Sequence, residues 1–238
     1  MKLTVVGCSP AWPNPGGAQS GYLVEGPGRL LLDCGPGVLA RLREREPWPR
    51  VDAIAITHFH LDHWGDLVPW VWGSMYGPGE QAGRPELHVP PNGRTLLEEL
   101  GEHLGARDMF EVTFRISEYR DGVPFEAAGF ELTPVRVPHY TIESYAFRVT
   151  KGTTVLAYSG DSGPSEVLAD LARDADLFVC EATLLHDEPE PRGHLSLEEA
   201  EEAFVASGAR RLLVTHRPLE RPVPDGVEHA SDGLELEV

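Results

Sequence analysis

Short apolar runs rich in Val, Leu and Ile recur along the chain, and segments containing Gly and Pro separate them. Runs of about four to eight such residues are typical of buried or half-buried strands. The pattern predicts strands at Leu3–Gly7, Gly21–Glu25, Arg29–Asp33, Ala53–Thr57, Glu86–Val89, Glu111–Ile116, Phe130–Val137, Ser144–Val149, Thr153–Tyr158, Leu177–Glu181 and Arg211–Thr215.

Other segments carry apolar residues three and four positions apart, the spacing of a helix with one buried face. Ser196 and Glu199 form a capping-box pattern that predicts the start of the last helix, and Gly208 predicts its end. The predicted helices are Gly37–Glu46, Asp62–Met75, Arg94–Leu104, Ser165–Arg173 and Leu197–Ser207. Because strand runs come first and helix–strand alternation follows, we predict an α/β fold of two sheets with helices packed outside them. Residues 1–238 are interpreted as one domain.

The charge balance narrows the range of partners. The 238 residues include 20 Lys and Arg against 38 Asp and Glu, a net charge of −18. Such a chain does not present a broad basic surface, so a long nucleic acid is an unexpected partner. No apolar run is long enough to span a bilayer, so no membrane is expected either.

The cysteines indicate the redox environment. Cys8, Cys34 and Cys180 are an odd set with no CxxC pair. This pattern argues against a disulfide framework and favours a reducing cytoplasm. Cys34 and Cys180 are interpreted as small buried apolar residues.

The densest group of chemically active residues lies between Thr57 and Trp64. It contains His58, His60, Asp62 and His63, and it directly follows the apolar run 51–56. In extended chain His58 and His60 place their imidazoles on one side, and the helix that begins after them turns Asp62 and His63 toward a second point. Imidazole nitrogens and carboxylate oxygens are ligands of Zn²⁺ and similar ions. Two ligand pairs aimed at two nearby points predict two metal ions.

Further ligand-type residues follow three other predicted strands: His139, Asp161 and His216. Taken singly, each has an ordinary structural explanation, such as a turn former or a helix cap. Together they indicate a site, because functional groups in layered α/β folds gather where strands end.

This arrangement resembles the metallo-β-lactamase superfamily, and the resemblance covers essentially the whole chain. It implies a four-layer αββα sandwich and a dinuclear hydrolase centre. Its motifs map to His58, His60 and His139 for the first metal ion, to Asp62, His63 and His216 for the second, and to Asp161 as the bridge between them. Zn²⁺ is the expected metal, and His/Asp sites also accept Mn²⁺ or Fe.

Two further residues look like the Glu/His pair of the ribonuclease Z branch, namely Glu181 in Cys-Glu-Ala-Thr and His194 in Gly-His-Leu-Ser. The segments 6–9 and 20–24 are also similar to that branch. By this resemblance His194 donates a proton to the leaving oxygen, Glu181 orients His194, and Asp62 orients the nucleophile or accepts its proton. A His–carboxylate pair suits an alkoxide leaving group, so phosphodiester cleavage is the favoured reaction.

The spacing of the motifs departs from the tRNA-processing members of that branch. Those enzymes carry a flexible arm between the third-motif histidine and the bridging aspartate. Here only residues 140–160 separate His139 from Asp161, and two predicted strands fill them. The resemblance is therefore to short, arm-less relatives, some of which hydrolyse cyclic nucleotides. A small phosphodiester is the expected substrate. The alternatives are ribonuclease Z-like RNA processing, a lactonase or thioesterase on the same scaffold, and a non-catalytic metal-binding protein. A homodimer is expected by analogy only.

The remaining candidates have structural interpretations. Trp64 and Trp70 are expected to pack in the core, with a wall of the substrate pocket as the alternative. Asp33, beside Gly35, is interpreted as a turn former. The other histidines lack a ligand context and are interpreted as surface or loop residues: His88, His103, His186 and His229.

Overall fold

The computed structural model describes residues 1–184 and 189–238. Its strands are β1 Lys2–Gly7, β2 Gly21–Glu25, β3 Arg29–Leu32, β4 Ala53–Ala55, β5 Glu86–Val89, β6 Arg115–Glu118, β7 Phe125–Ala127, β8 Phe130–Val137, β9 Ser144–Lys151, β10 Thr154–Tyr158, β11 Leu177–Glu181, β12 Leu212–Thr215 and β13 Glu235–Glu237. Its helices are α1 Val38–Arg43, α2 Leu61–Trp64, α3 Leu67–Tyr76, α4 Gly93–His103, α5 Met109–Thr113, α6 Glu166–Leu171 and α7 Leu197–Ser207.

Two large mixed sheets organise these elements. The first has the strand order β13-β1-β2-β3-β4-β5-β6, and the second has the order β12-β11-β10-β9-β8-β7. One apolar core contains buried residues of both sheets, including Leu3, Leu30, Phe130 and Phe147. The predicted α/β fold with two packed sheets is confirmed.

Each sheet has a second apolar layer on its other face, where the helices pack. Leu31 and Ile54 of the first sheet pack in one cluster with residues of α1, α3, α4 and α5. Phe178 of the second sheet packs with Leu168 of α6 and Leu197 of α7. The layers are therefore helix, sheet, sheet, helix, as the αββα expectation required.

The predicted strand Glu111–Ile116 is wrong in its first half. The chain forms α5 there, and strand β6 begins only at Arg115. Phe110 and Thr113 are buried while Val112 is exposed, a spacing that gives a helix one inward face. The predicted helix Asp62–Met75 also divides into α2 and α3.

The start and end of the last helix agree with prediction. The Ser196 side chain accepts a hydrogen bond from the backbone of Glu199, whose own side chain accepts one from the backbone of Ser196. Gly208 ends the helix with φ of 68°, a left-handed conformation that glycine adopts readily. Helices α4 and α7 are the longest in the described chain at 11 residues each. None of these helices is therefore long enough to cross a bilayer.

Asp66 links the start of α1 to the start of α3 and gives a prediction for stability. Its Oδ2 accepts a hydrogen bond of 2.7 Å from the backbone N–H of Leu39. Burial raises the pKa of Asp66 from 3.8 to about 6, although backbone hydrogen bonds from Leu39 and Gly37 lower it in part. The folded state therefore binds a proton more tightly than the unfolded state, and the contribution of this group to stability falls as pH rises from about 4 toward and beyond 6.

We expect Asp66→Asn to remove this pH dependence while keeping an acceptor for Leu39. Relative to Asp66→Asn, the wild type should lose about 1 kcal/mol of unfolding free energy between pH 5 and pH 8. Denaturant unfolding at both pH values measures the difference. Asp170→Asn, which changes an exposed carboxylate of α6, is the matched control and should track the wild type. Parallel pH profiles for the wild type and Asp66→Asn would contradict the prediction.

Candidate metal centre

The direction of the strands in the second sheet brings four site residues to one edge. Strands β10, β11 and β12 are parallel, and β8 runs the same way because β9 is antiparallel to both β8 and β10. Their carboxyl ends therefore meet at the same edge of the sheet. The residues at or just after those ends are His139, Asp161, Glu181 and His216.

The His58–His63 segment reaches the same edge from the first sheet. His58 follows β4 and forms an isolated antiparallel bridge with Ser144 at the start of β9, which joins the two sheets. Asp62 and His63 lie on the single turn α2. At Gly35 a Cβ would lie 1.9 Å from the backbone oxygen of Asp62, so only glycine permits this approach of the two segments.

The seven predicted ligands form two adjoining clusters. The first contains His58, His60, His139 and Asp161. In each cluster, every residue contributes one nitrogen or oxygen atom, and these atoms lie within 4.8 Å of one another. The second cluster contains Asp62, His63, Asp161 and His216. Asp161 belongs to both, which is the position that the resemblance assigned to a bridging ligand. The clusters fit a dinuclear metal site, whereas the role of each individual residue stays a prediction.

Asp161 lies between imidazoles of both clusters. Its Oδ2 is 3.2 Å from Nε2 of His63 and 3.9 Å from Nε2 of His58, and its Oδ1 is 3.6 Å from Nε2 of His216. Oδ2 of Asp62 is 3.2 Å from Nε2 of His216 and 3.4 Å from Nε2 of His63. The carboxylate oxygens and the imidazole nitrogens therefore converge on one small region.

Hydrogen bonds at Nδ1 aim the opposite nitrogen of several rings into the clusters. The Nδ1 of His139 lies 2.5 Å from the backbone oxygen of Gly193 and donates to it. In His216, Nδ1 lies 2.9 Å from Oγ1 of Thr183. Such partners fix the ring orientation and the tautomer, so Nε2 presents its lone pair to the site.

Asp33 is an orienting residue that the sequence interpretation missed. Its backbone has a φ of 59°, consistent with the predicted turn, but its side chain is fully buried in the site. Oδ2 accepts hydrogen bonds from Nδ1 of His63 at 2.7 Å and from the hydroxyl of Tyr158 at 2.8 Å. Thr57 donates to Oδ1 from its backbone N–H at 2.8 Å. Asp33 thus holds His63 rather than merely shaping a turn.

The buried atoms around the clusters fit bound metal ions. Nε2 of His58 is buried and has no hydrogen-bond partner among the described residues. Nε2 of His63 is also buried and faces the carboxylates of Asp161 and Asp62 at 3.2 and 3.4 Å. Leaving a buried polar nitrogen unpaired is costly, so a ligand for these atoms is expected. A divalent cation between imidazoles and carboxylates would satisfy both nitrogens, and the donor set suits Zn²⁺, Mn²⁺ or Fe.

The electrostatics are consistent with a bound cation. Burial lowers the pKa of His58 well below its ordinary value and lowers the pKa of His139 to about 4. Both pKa shifts favour the neutral imidazole, which is the form that binds a metal ion. Burial also opposes charge on His63, but Asp161 and Asp33 outweigh it and raise the pKa of His63 well above its usual range. The carboxylates thus favour positive charge beside Nε2 of His63, where a metal ion could replace the proton.

A separate carboxylate–imidazole pair, Glu181 and His194, lies beside the clusters. Oε1 of Glu181 is 2.9 Å from Nδ1 of His194 and also accepts from the backbone N–H of Ser162 at 2.8 Å. Oε2 accepts from Oγ1 of Thr183 at 2.7 Å and from the backbone N–H of Leu195 at 3.4 Å. Glu181 is fully buried, so these contacts hold its carboxylate in one orientation against the His194 ring.

A cavity of about 550 Å³ opens onto the clusters. Trp64 and Trp70 do not line it, because both pack in the apolar layer between the first sheet and its helices, as the core interpretation predicted. The wall of the cavity is built from other segments. The lining residues include Trp12, Gln19, His60, Leu61, Asp62, Tyr140, Asp161, Thr183, Leu184, His194, His216 and Arg221.

The remaining histidines and cysteines are placed as follows. His88 is a correction, since it is buried in β5, where Ser117 and Glu86 contact its ring nitrogens. His103 is exposed at the end of α4 and His229 lies in a loop, as expected. Cys34 and Cys180 are buried and free, as predicted. His186 lies outside the described residues.

Two sheets between helical layers, with two histidine–aspartate clusters at one edge, define a metal-dependent hydrolase of the αββα class. The profile of the beta-lactamase superfamily domain matches residues 28–217. The chain therefore belongs to the metallo-β-lactamase superfamily and is a metallo-hydrolase of it.

Several proteins are similar to this chain over most of its length. An uncharacterized protein of Mycobacterium leprae is 36% identical over 92% of this chain and 78% of its own length. The probable metallo-hydrolase YhfI of Bacillus subtilis is 31% identical over 92% of this chain and 87% of its own. The crystal structure of YhfI matches 99% of both chains with a TM-score of 0.85 and 25% identity. Ribonuclease Z of Myxococcus xanthus is 29% identical over 91% of this chain and 86% of its own.

Proposed function

We propose that this protein is a metal-dependent phosphodiesterase that cleaves small phosphodiesters, with cyclic nucleotides as the best candidates. The observation that carries this proposal is the hydrogen-bonded pair of buried Glu181 and partly exposed His194, which stands next to the histidine–aspartate clusters at the wall of the cavity. Such a pair can give a proton to a strongly basic leaving oxygen, as the cleavage of an alkyl phosphodiester requires, whereas thioester hydrolysis expels a weakly basic thiolate and does not require it.

The residues divide the chemical work as follows. Two divalent ions, proposed to be zinc and held by the two clusters, would stabilise negative charge that develops on phosphoryl oxygens. Glu181 orients His194 and favours positive charge on its ring, so that the ring gives a proton to the departing alkoxide. Asp62, which lines the cavity, orients the attacking oxygen or accepts its proton. Asp33 keeps His63 in the orientation that its cluster needs.

The cavity wall favours an anionic substrate over a neutral lactone. The Arg221 side chain lines the cavity and donates to the backbone oxygen of Thr183. Within residues 1–184 and 189–238, no carboxylate oxygen lies within 4.0 Å of its guanidinium nitrogens. A guanidinium group at the wall of a cavity is suited to bind a phosphate group, and Arg221 offers one in a chain whose net charge is −18.

The proposed substrate is small rather than a long RNA. Residues 140–160, the interval that holds the arm in tRNA-processing relatives, are largely taken up by β9 and β10. The acidic surface would also repel a long polyanion. Ribonuclease-like processing of RNA remains the alternative, favoured by the likeness to ribonuclease Z of Myxococcus xanthus.

A substrate panel tests the proposal. Purified protein is analysed for metal content, loaded with Zn²⁺, Mn²⁺ or Fe²⁺, and assayed with 2′,3′- and 3′,5′-cyclic nucleotides, bis(p-nitrophenyl) phosphate, a precursor tRNA and a lactone. We expect turnover of the small diesters with kcat/KM at least about 100-fold above that for the lactone. A higher kcat/KM for precursor tRNA than for the small diesters would support the ribonuclease alternative. The proposal would be overturned if the protein hydrolyses the lactone but no diester. It would also be overturned if none of the metal-loaded forms turns over any of the substrates.

A further inference from the structure

Three exposed apolar side chains line the cavity together. The exposed large hydrophobic residues of the described chain number ten, and three of them line this cavity: Trp12, Leu61 and Tyr140. Their exposed fractions are 52%, 63% and 41%. Exposed apolar groups scattered singly need no explanation, but a group of them around a polar catalytic pocket indicates a ligand with an apolar part.

The loop that carries Trp12 is held in place from one side by Gln19. The side-chain amide of Gln19 is almost fully buried, and its Nε2 donates to the backbone oxygens of Pro10 at 3.1 Å and Ala11 at 2.6 Å. These bonds fix the residues immediately before Trp12. Gln19 itself lines the cavity, so the loop and the wall are one connected structure.

Asn14 ties the other side of the loop to the segment after β12. Its Nδ2 donates to the backbone oxygen of Arg217 at 3.0 Å, and its Oδ1 accepts from the backbone N–H of Leu219 at 3.0 Å. That segment directly follows His216, a member of the second cluster. The backbone on both sides of Trp12 is therefore anchored relative to the metal centre, which reduces the cost of ordering the loop on ligand binding.

We propose that Trp12 is a specificity-determining residue that packs against a planar ring of the substrate, most simply a nucleobase, while the phosphodiester lies beside His60 and Asp62. This inference rests on the proposed function and names the substrate class within it. An indole face offers a large rigid apolar surface, and every nucleobase has a π-face that can stack on it.

The shape and chemistry of the cavity favour a nucleotide over an alkyl diester. Its volume of about 550 Å³ lies in the range of pockets for small organic ligands. Leu61 and Leu184 contribute further apolar groups to the same cavity wall as Trp12, whereas Thr183 and Arg221 add polar groups for a sugar phosphate. A ligand with one flat apolar part and one anionic part matches this division.

The test compares two ligands that share the ribose 5-phosphate group, of which one carries a base and the other a hydroxyl at C1′. Adenosine 5′-monophosphate and ribose 5-phosphate are titrated by calorimetry into the metal-loaded wild type, Trp12→Ala and Trp12→Phe. We expect the wild type to bind the nucleotide about 10- to 100-fold more tightly than the sugar phosphate. Trp12→Ala should reduce this ratio to within about threefold by weakening the nucleotide alone, and Trp12→Phe should retain most of it.

Tyr76→Ala is the matched control, because Tyr76 is an aromatic residue with 73% of its surface exposed and does not line the cavity. It should leave both dissociation constants unchanged. Equal binding of the two ligands by the wild type, or a ratio that survives in Trp12→Ala, would overturn the role of Trp12. If the wild type cleaves no diester in the substrate panel but still binds the nucleotide more tightly than the sugar phosphate, the proposed function would be overturned. Trp12 would then remain a nucleotide-binding residue.

Discussion

Asp161→Ala is expected to bind fewer than two metal ions per chain and to lose nearly all hydrolase activity. Asp161 is the residue that both clusters share, and its two oxygens face the nitrogens of His58, His63 and His216 at 3.2 to 3.9 Å. Removing it deletes a negative charge from a buried group of imidazoles. If Asp161 bridges the ions as the resemblance implies, each ion would also lose one oxygen ligand. Removing a residue that only hydrogen-bonds to a metal ligand typically weakens metal affinity about 10- to 100-fold. Removing a ligand that both ions share should therefore weaken metal affinity at least about 100-fold.

Elemental analysis after extensive buffer exchange measures this effect against the wild type. Asp170→Ala is a suitable control, because Asp170 is an exposed aspartate on α6 that pairs with Arg173 at the surface. The control should retain the wild-type metal content. Near-ultraviolet circular dichroism separates loss of metal from loss of fold. Two ions per chain in folded Asp161→Ala would refute the bridging assignment.

The site could be predicted from the sequence because its residues follow strands. Apolar runs are recognisable locally, and parallel strands bring their carboxyl ends to one edge whatever the loops between them do. His139, Asp161 and His216 come together for this reason, although 77 positions separate the first of them from the last. The capping box of α7 was predictable for a similar reason, since it depends only on residues three positions apart.

Features that depend on distant partners escaped prediction. Asp33 looks like a turn residue in the sequence, and only the packing of β3 against β4 and β10 shows that it holds His63. Strand β13 is three residues long with exposed glutamates, and it exists because it pairs with β1 at the opposite end of the chain. Trp12 was not singled out at all. Its place at the cavity depends on Gln19 and Asn14, whose roles no local pattern reveals.

Glu181 and His194 could themselves be metal ligands, because Glu181, His194 and His216 also lie close enough together to hold an ion. The hydrogen bonds of Glu181 argue for an orienting role. Both of its oxygens already accept from protein donors, among them Ser162, Thr183 and His194 itself. A carboxylate that is satisfied in this way has little capacity left for a cation. We therefore expect the metal content of His194→Ala to equal that of the wild type.

His194→Ala is expected to lower kcat for cyclic nucleotide cleavage by about 10²- to 10⁴-fold, which is the usual contribution of a general acid. Bis(p-nitrophenyl) phosphate has a leaving group that departs without protonation, so its turnover should fall by no more than about 10-fold. Glu181→Gln keeps the shape of the orienting residue but removes its charge. We expect a loss that is smaller than that of His194→Ala and shows the same dependence on the leaving group, because Glu181 acts through His194.

Steady-state kinetics with both diesters, alongside elemental analysis of each variant, measures these effects. His103→Ala replaces an exposed histidine of α4 and should be indistinguishable from the wild type. A loss of equal size on both diesters would show that His194 supports binding or structure rather than proton transfer. A fall in metal content would make His194 a ligand. Unchanged lactone hydrolysis beside lost cyclic nucleotide cleavage would assign the role of His194 to the phosphodiester reaction specifically.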